Sequence, residues 1–248
     1  AINALIADIA LWNFEYEESL LYLDNIINSE KYFLKPTIGW FEIYNPGNSF
    51  EGIFEIQFDQ QNGQGNRLYR DTYQRDYYTA SLFAQELLLP EVSGENIRGK
   101  GSISTESRGY KIWKFCGDAP DQRTLRSSST NRSANWIMYR YADILLMKAE
   151  ALSQLGRFEE AQSLINEVRS RALMPPAEIS FSNNAFEEAI LEERAKELAF
   201  EGKRWFDLLR MGRRNNYANK EELIEIIIEN VSSTRRLILA SKLSDPNG

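Results

Sequence analysis

The sequence predicts a mainly α protein, built from helical hairpins that flank a long, loop-rich insert containing short strands. Three observations carry that expectation. Apolar residues recur at helical spacing on both sides of a tight turn in 139–171, YRYADILLMKAEALSQLGRFEEAQSLINEVRSR. The opening residues repeat that pattern at an offset of 142 positions. Between the two copies lies a stretch of different texture, rich in Gly, Tyr, Asn and Gln.

In the second copy, Met138, Ala142, Leu145, Ala149 and Leu152 form one apolar stripe. Leu155-Gly156 interrupts it, with Gly suited to the left-handed position that closes a helix. A second stripe follows in Phe158, Ala161, Ile165, Val168 and Ala172. Helices joined by so short a turn must run antiparallel, in the manner of a tetratricopeptide repeat. In the first copy, Ile2, Ile6, Ile9 and Asn13 are expected on one face, then Tyr16, Leu20, Leu23, Ile26 and Ile27 on the next. Ala7-Asp8 falls on Ala149-Glu150, and Tyr16 to Ser19 on Phe158 to Ala161. Such internal repetition is the mark of helical-repeat architecture.

Three segments follow from this pattern: a hairpin over 1–35, the insert over 36–136, and a hairpin with further helices over 137–248, expected to form one structural unit. In the insert, Gly52 to Phe58 alternates apolar and polar residues and predicts a strand. DQQNGQGN (59–66) predicts a turn, 110–115 a second short strand, and 121–135 an exposed loop. After the second hairpin, Pro175-Pro176 stops the helix, and Ser182-Asn183-Asn184 caps a third, predicted over 185–211. Its apolar stripe includes Leu191, Ala195, Leu198, Gly202 and Trp205, with Gly212 closing it. A further helix is expected over 221–230, and the terminal KLSDPNG as a turn.

Composition narrows the function classes. A net charge of −7 and a pI near 5.0 disfavour nucleic acid, which needs a basic face. The chain has no histidine, the commonest general base and metal ligand, and its one cysteine, Cys116, excludes an intrachain disulfide or a thiolate zinc cluster. No cofactor is implied. Glu193, Glu197 and Glu201 could suggest a glycosidase pair, but with Arg194 and Arg204 interleaved they are expected to be neutralised. Pairing lowers a carboxyl pKa, the wrong direction for a general acid. Together with Asp207 they are expected to form a structural ion network, and Trp205 to lie in the core.

The insert carries the binding candidates. A sugar presents flat C–H faces and many hydroxyls, so its site needs aromatic platforms and polar side chains. Trp40, Tyr44, Tyr69, Tyr73, Tyr77, Tyr78, Tyr110 and Trp113 supply rings, with Arg70 among the polar groups. Half of these rings could instead pack the insert onto the helices, and Tyr69, Tyr73 and Tyr77 could form one buried helical face.

The segment LEERAKELAFEGKRWFDLLRMGR (191–213) resembles the C-terminal hallmark of the SusD/RagB family of outer-membrane glycan-binding proteins. RYADILLMKAEAL (140–152) and GIFEIQFD (52–59) resemble two more of its segments, in the family's order. The resemblance implies a SusD-like α/α superhelix, of which this chain would be the middle and C-terminal portion, truncated at both ends. It implies a non-catalytic, surface-exposed lipoprotein that binds oligo- or polysaccharide and delivers it to a SusC-like TonB-dependent transporter. Membrane attachment would come only through an N-terminal lipid anchor outside this chain. A helical scaffold or transporter lid with no glycan site of its own is the alternative.

Overall fold

The computed structural model describes residues 1–92, 96–105, 109–229 and 235–236. These form two compact units, 1–202 and 203–248.

The first unit is organised by two helical hairpins. Helices α1 (Ile2–Trp12) and α2 (Tyr16–Ile27) form one, and α5 (Tyr141–Gln154) and α6 (Phe158–Arg171) the other. Their turns have the same geometry at the 142-residue offset. Phe14 (φ 65°) and Gly156 (φ 75°) take the left-handed position. Glu15 N–H bonds Ala10 O and Arg157 N–H bonds Leu152 O, both at 2.9 Å. Each turn is a Schellman closure, so the repeat seen in the sequence is a repeat of backbone structure.

The expected face of α1 is inverted. Ile2 and Ile9 are 74% and 52% exposed, and the buried residues are Ala4, Ala7, Ala10 and Leu11. The alanines allow neighbouring helices to approach closely, which the isoleucines would prevent. Leu20, Leu23 and Ile26 of α2 meet Leu145, Ala149 and Leu152 of α5 in one apolar cluster that includes Ile165 and Val168 of α6. Lys148 reaches Asp24 at 2.6 Å, and the Tyr139 hydroxyl donates to Asp8 at 2.7 Å.

The insert starts with a 3₁₀ turn, Thr37–Ile43, and strand β1 (Gly52–Ile56). A π-helical turn (Arg70–Gln74), α3 (Leu82–Val92) and α4 (Ile97–Ser102) follow. Two short strands, β2 (Ile103–Ser104) and β3 (Lys111–Ile112), pair antiparallel, and a 3₁₀ turn occupies Trp113–Phe115. The strand expected over 110–115 is therefore mostly a turn. Strand β4 (Trp136–Arg140) returns antiparallel to β1 and places Met138 in a strand, so α5 begins later than the expected stripe. The insert has its own core of Trp40, Ile43, Tyr44, Tyr69, Trp113, Phe115 and Cys116. Burial pushes the Cys116 thiol up to about 12, consistent with an unreactive core residue.

The helix predicted over 185–211 is two helices, α7 (Asn183–Glu197) and α8 (Arg204–Tyr217). Ser182 caps α7 by accepting from Ala185 N–H at 3.3 Å. Phe200 (φ 66°) and Gly202 (φ 78°) break the helical run. In the second unit, α8 departs from helical geometry at Arg214 to Asn216, and α9 spans Lys220–Glu229. Gly212 brings the two together: a Cβ there would lie 2.5 Å from Leu223 Cδ2. Trp205, expected in the core, is 50% exposed. KLSDPNG lies outside the described residues.

Candidate functional site

The Glu/Arg stripe predicted on the third helix faces inward. Glu193, Arg194, Glu197 and Glu201 are buried, and their partners come from distant segments instead of the next helical turn. Glu201 accepts from Arg140 Nε and Nη2, both at 2.9 Å, from Lys114 Nζ at 2.9 Å and from the Tyr44 hydroxyl at 3.1 Å. Glu197 pairs with Arg140 at 2.7 Å and with Arg171. Glu193 pairs with Arg98 at 2.5 Å and Arg169 at 3.0 Å. Glu51, beside β1, bridges Arg140 (2.6 Å) and Arg171 (2.9 Å), and Arg194 pairs with Asp143 (2.9 Å). The i+3 neutralisation expected along one helix is thus replaced by a knot tying the insert, the second hairpin and α7 together.

Burial alone would raise the Glu197 carboxyl, but Arg171, Arg140 and Arg98 outweigh it and hold it far below the usual carboxylate range. Glu201 behaves alike, with Arg140 and Lys114 outweighing burial. An acid catalyst needs the opposite shift. In the second unit, Arg204 is lowered by burial against the opposing charge of Asp207, and Asp207 accepts from Arg210 at 3.0 Å.

The aromatic candidates divide by exposure. Trp40, Tyr44, Tyr69 and Trp113 are core residues with at most 7% exposure, and ligand contact by these four is corrected on that ground: no sugar face can reach such rings. Arg171 and Lys114 lie over the Trp40 ring at 4.9 and 5.6 Å, and Trp113 Nε1–H donates to Ala119 O at 2.8 Å. Tyr73 is half-buried against Tyr69 and Trp113, with Lys111 Nζ 4.5 Å from its ring centre. Tyr110 packs beside Ala80, Leu88 and Ile103, and Arg70 Nε holds Asp71 at 2.6 Å. Tyr77 and Tyr78 remain at the surface, 65% and 63% exposed. The single helical face suggested for Tyr69, Tyr73 and Tyr77 does not form. Lys111 anchors the base of the loop that carries the two tyrosines, through Tyr73 O (2.5 Å) and Asp76 (2.8 Å).

A cleft of about 420 Å³ lies elsewhere in the insert. Its walls are the 45–64 and 130–135 segments, where the sequence predicts a strand over 52–58, a turn over 59–66 and a loop over 121–135. Hydrogen bonds stitch them together: Gln60 N–H to Ser133 Oγ (3.0 Å), Phe58 N–H to Asn135 Oδ1 (3.2 Å) and Asn66 N–H to Arg132 O (2.8 Å). Six amide side chains line it: Asn45, Asn48, Gln57, Gln61, Gln64 and Asn135. Asn48 Nδ2 donates to Gln57 Oε1 at 2.8 Å and Gln57 Nε2 to Asn48 Oδ1 at 2.9 Å, and Asn135 Nδ2 donates to Gln57 Oε1 at 3.2 Å. Gln61 and Gln64 are exposed and keep their amides open to a ligand. Pro46 and Phe58 supply apolar surface, and Thr130 and Ser133 hydroxyls. The signal available in the sequence was the amide-rich run DQQNGQGN; its partner wall, some seventy residues on, was not visible there.

Comparison with known proteins identifies the family of the chain. Residues 91–243, more than half of the chain, match the SusD family model. The chain belongs to the SusD family. SusD-like protein P38 of Formosa agariphila is 28% identical over 85% of this chain and 51% of its own length. SusD-like protein P2 of the same organism is 39% identical over 41% of this chain and 20% of its own length. The SusD-family chain thus spans about half or less of these relatives. Two solved structures share its fold. A SusD superfamily protein from Parabacteroides distasonis has a TM-score of 0.64 at 24% identity, covering 84% of this chain and 51% of that one. Surface glycan-binding protein A of Bacteroides thetaiotaomicron, in complex with laminarihexaose, has a TM-score of 0.63 at 22% identity, covering 87% and 55%. Among the described residues, no helix of this SusD-family chain is long and apolar enough to cross a membrane.

Proposed function

We propose that this chain provides a glycan-binding surface of a cell-surface SusD-family lipoprotein, which passes oligo- or polysaccharide to a TonB-dependent outer-membrane transporter without chemically altering it. The amide-lined cleft carries this reading. Amides both donate and accept, as sugar hydroxyls do, and Phe58 with Pro46 offers an apolar surface to a ring face. Family membership and the laminarihexaose complex of a structural neighbour support it. Tyr77 and Tyr78 are proposed as a second, stacking element, because their rings are accessible.

A protein-contact role is favoured by one separate observation, the outward apolar row of Ile2, Leu5 and Ile9 on α1. Isothermal titration of the chain with a panel of polysaccharides separates the two. Binding that weakens in Gln61→Ala/Gln64→Ala or Tyr77→Ala/Tyr78→Ala supports the glycan reading; absence of binding to every polysaccharide overturns it.

A further inference from the structure

The charge pattern around the cleft adds a preference to its shape. None of its eleven lining residues is Lys or Arg. Asp59 is the one charged group in the lining, and its carboxylate is held below the usual range by the Asn62 side-chain amide and the N–H groups of Asn62 and Gln61. Behind the wall, Glu55 Oε2 accepts from Asn48 N–H and from Asn135 Nδ2, both at 2.9 Å. Neither Asp59 nor Glu55 makes an ion pair among the described residues. Arg132, next in sequence to Ser133, directs its Nε to the Asn66 carbonyl at 3.3 Å.

Carboxylate and sulfate groups are recognised by guanidinium, ammonium or clustered backbone N–H donors. Here the approach is lined by neutral amides and hydroxyls, with carboxylates at and behind the surface. An anionic sugar would exchange its hydration for contacts with carbonyl oxygens and like charge. A neutral sugar would find side chains that match each hydroxyl in both directions.

We infer that this cleft selects uncharged, hydroxyl-rich glycans and turns away chains bearing uronate or sulfate groups. The inference rests on the glycan-binding reading above and narrows it to one substrate class.

The test is isothermal titration of the chain with neutral polymers (laminarin, xylan, galactomannan) and anionic ones (polygalacturonate, alginate, a sulfated galactan), at low and at physiological salt. Gln61→Ala/Gln64→Ala and Gln61→Lys/Gln64→Lys are titrated beside it. The expected result is binding to at least one neutral polymer, weakened in the alanine variant. Anionic polymers should bind on the order of tenfold more weakly or not at all, and the lysine variant should gain affinity for them in a salt-sensitive way. Glutamine-dependent binding of an anionic polymer at comparable strength overturns the charge preference and leaves the glycan reading standing. Neutral binding indifferent to both variants moves the site out of the cleft and overturns the inference alone. No binding to any polymer overturns the glycan reading, and the inference with it.

Discussion

Arg140 and Glu201 meet as a buried two-pronged pair, with Nε 2.9 Å from Oε2 and Nη2 2.9 Å from Oε1. The same guanidinium also reaches Glu51 at 2.6 Å and Glu197 at 2.7 Å, so one side chain neutralises three carboxylates from two regions of the chain. Replacing it with Met leaves those carboxylates short of charge in the interior. Arg140→Met is expected to cost about 3–5 kcal/mol in urea unfolding. Arg140→Lys should recover only part, because an ammonium cannot form the paired geometry.

The same pairing sets a pH dependence. The Glu197 and Glu201 carboxyls lie below the ordinary value of 4.5 in the folded chain. A depressed carboxyl contributes stability that is present above the unfolded value and lost as pH falls through the folded one. Unfolding free energy is therefore expected to hold steady near neutral pH and to fall once pH drops below 4.5. In Arg140→Met that fall should be shallower, as measured by chemical denaturation across a pH series.

Two glycines separate backbone from packing effects. At Gly156 an added Cβ meets nothing within 4 Å, so only its positive φ of 75° resists substitution. Gly156→Ala is expected to cost about 1 kcal/mol. At Gly117 an added Cβ would overlap the buried Trp113 ring. Gly117→Ala should cost more, about 1–3 kcal/mol from overpacking, and thermal unfolding of both variants gives the comparison.

Exposure divides the aromatic candidates into two experimental classes. Trp113→Ala empties part of the insert core and is expected to cost about 3–5 kcal/mol. Tyr77→Ala/Tyr78→Ala should leave stability within about 0.5 kcal/mol while weakening glycan binding. Loss of stability in the tyrosine pair, or none at Trp113, would contradict these placements.

How much of this was legible in the sequence depended on range. The hairpins were visible because their stripes and turns are set by residues within a few positions, down to the turn at Gly156 and its copy at Phe14. The face of α1 was not, because Ile2 and Ile9 satisfy a helical stripe as well as Ala4 and Ala7 do, and only the closeness of neighbouring helices selects the alanines. The break after Glu197 was hidden because the charges on either side could be paired locally on paper, whereas their partners are Arg98, Lys114, Arg140 and Arg171. Ring chemistry nominated Trp40 and Trp113, but burial decides whether a ring is a platform or a filler. The cleft went unseen because its two walls lie far apart along the chain.

The junction of the two hairpins does not depend on the peptide that connects them. Residues 1–56 meet residues 136–172 through β1 against β4, the shared apolar cluster, the Tyr139–Asp8 and Lys148–Asp24 contacts and the Glu51 bridges. Ser127 to Ser129 lie exposed on the surface between them. A protease cut there should yield two polypeptides that migrate as one particle on a native gel and part only in detergent, so the insert can be opened without dismantling the frame that carries it.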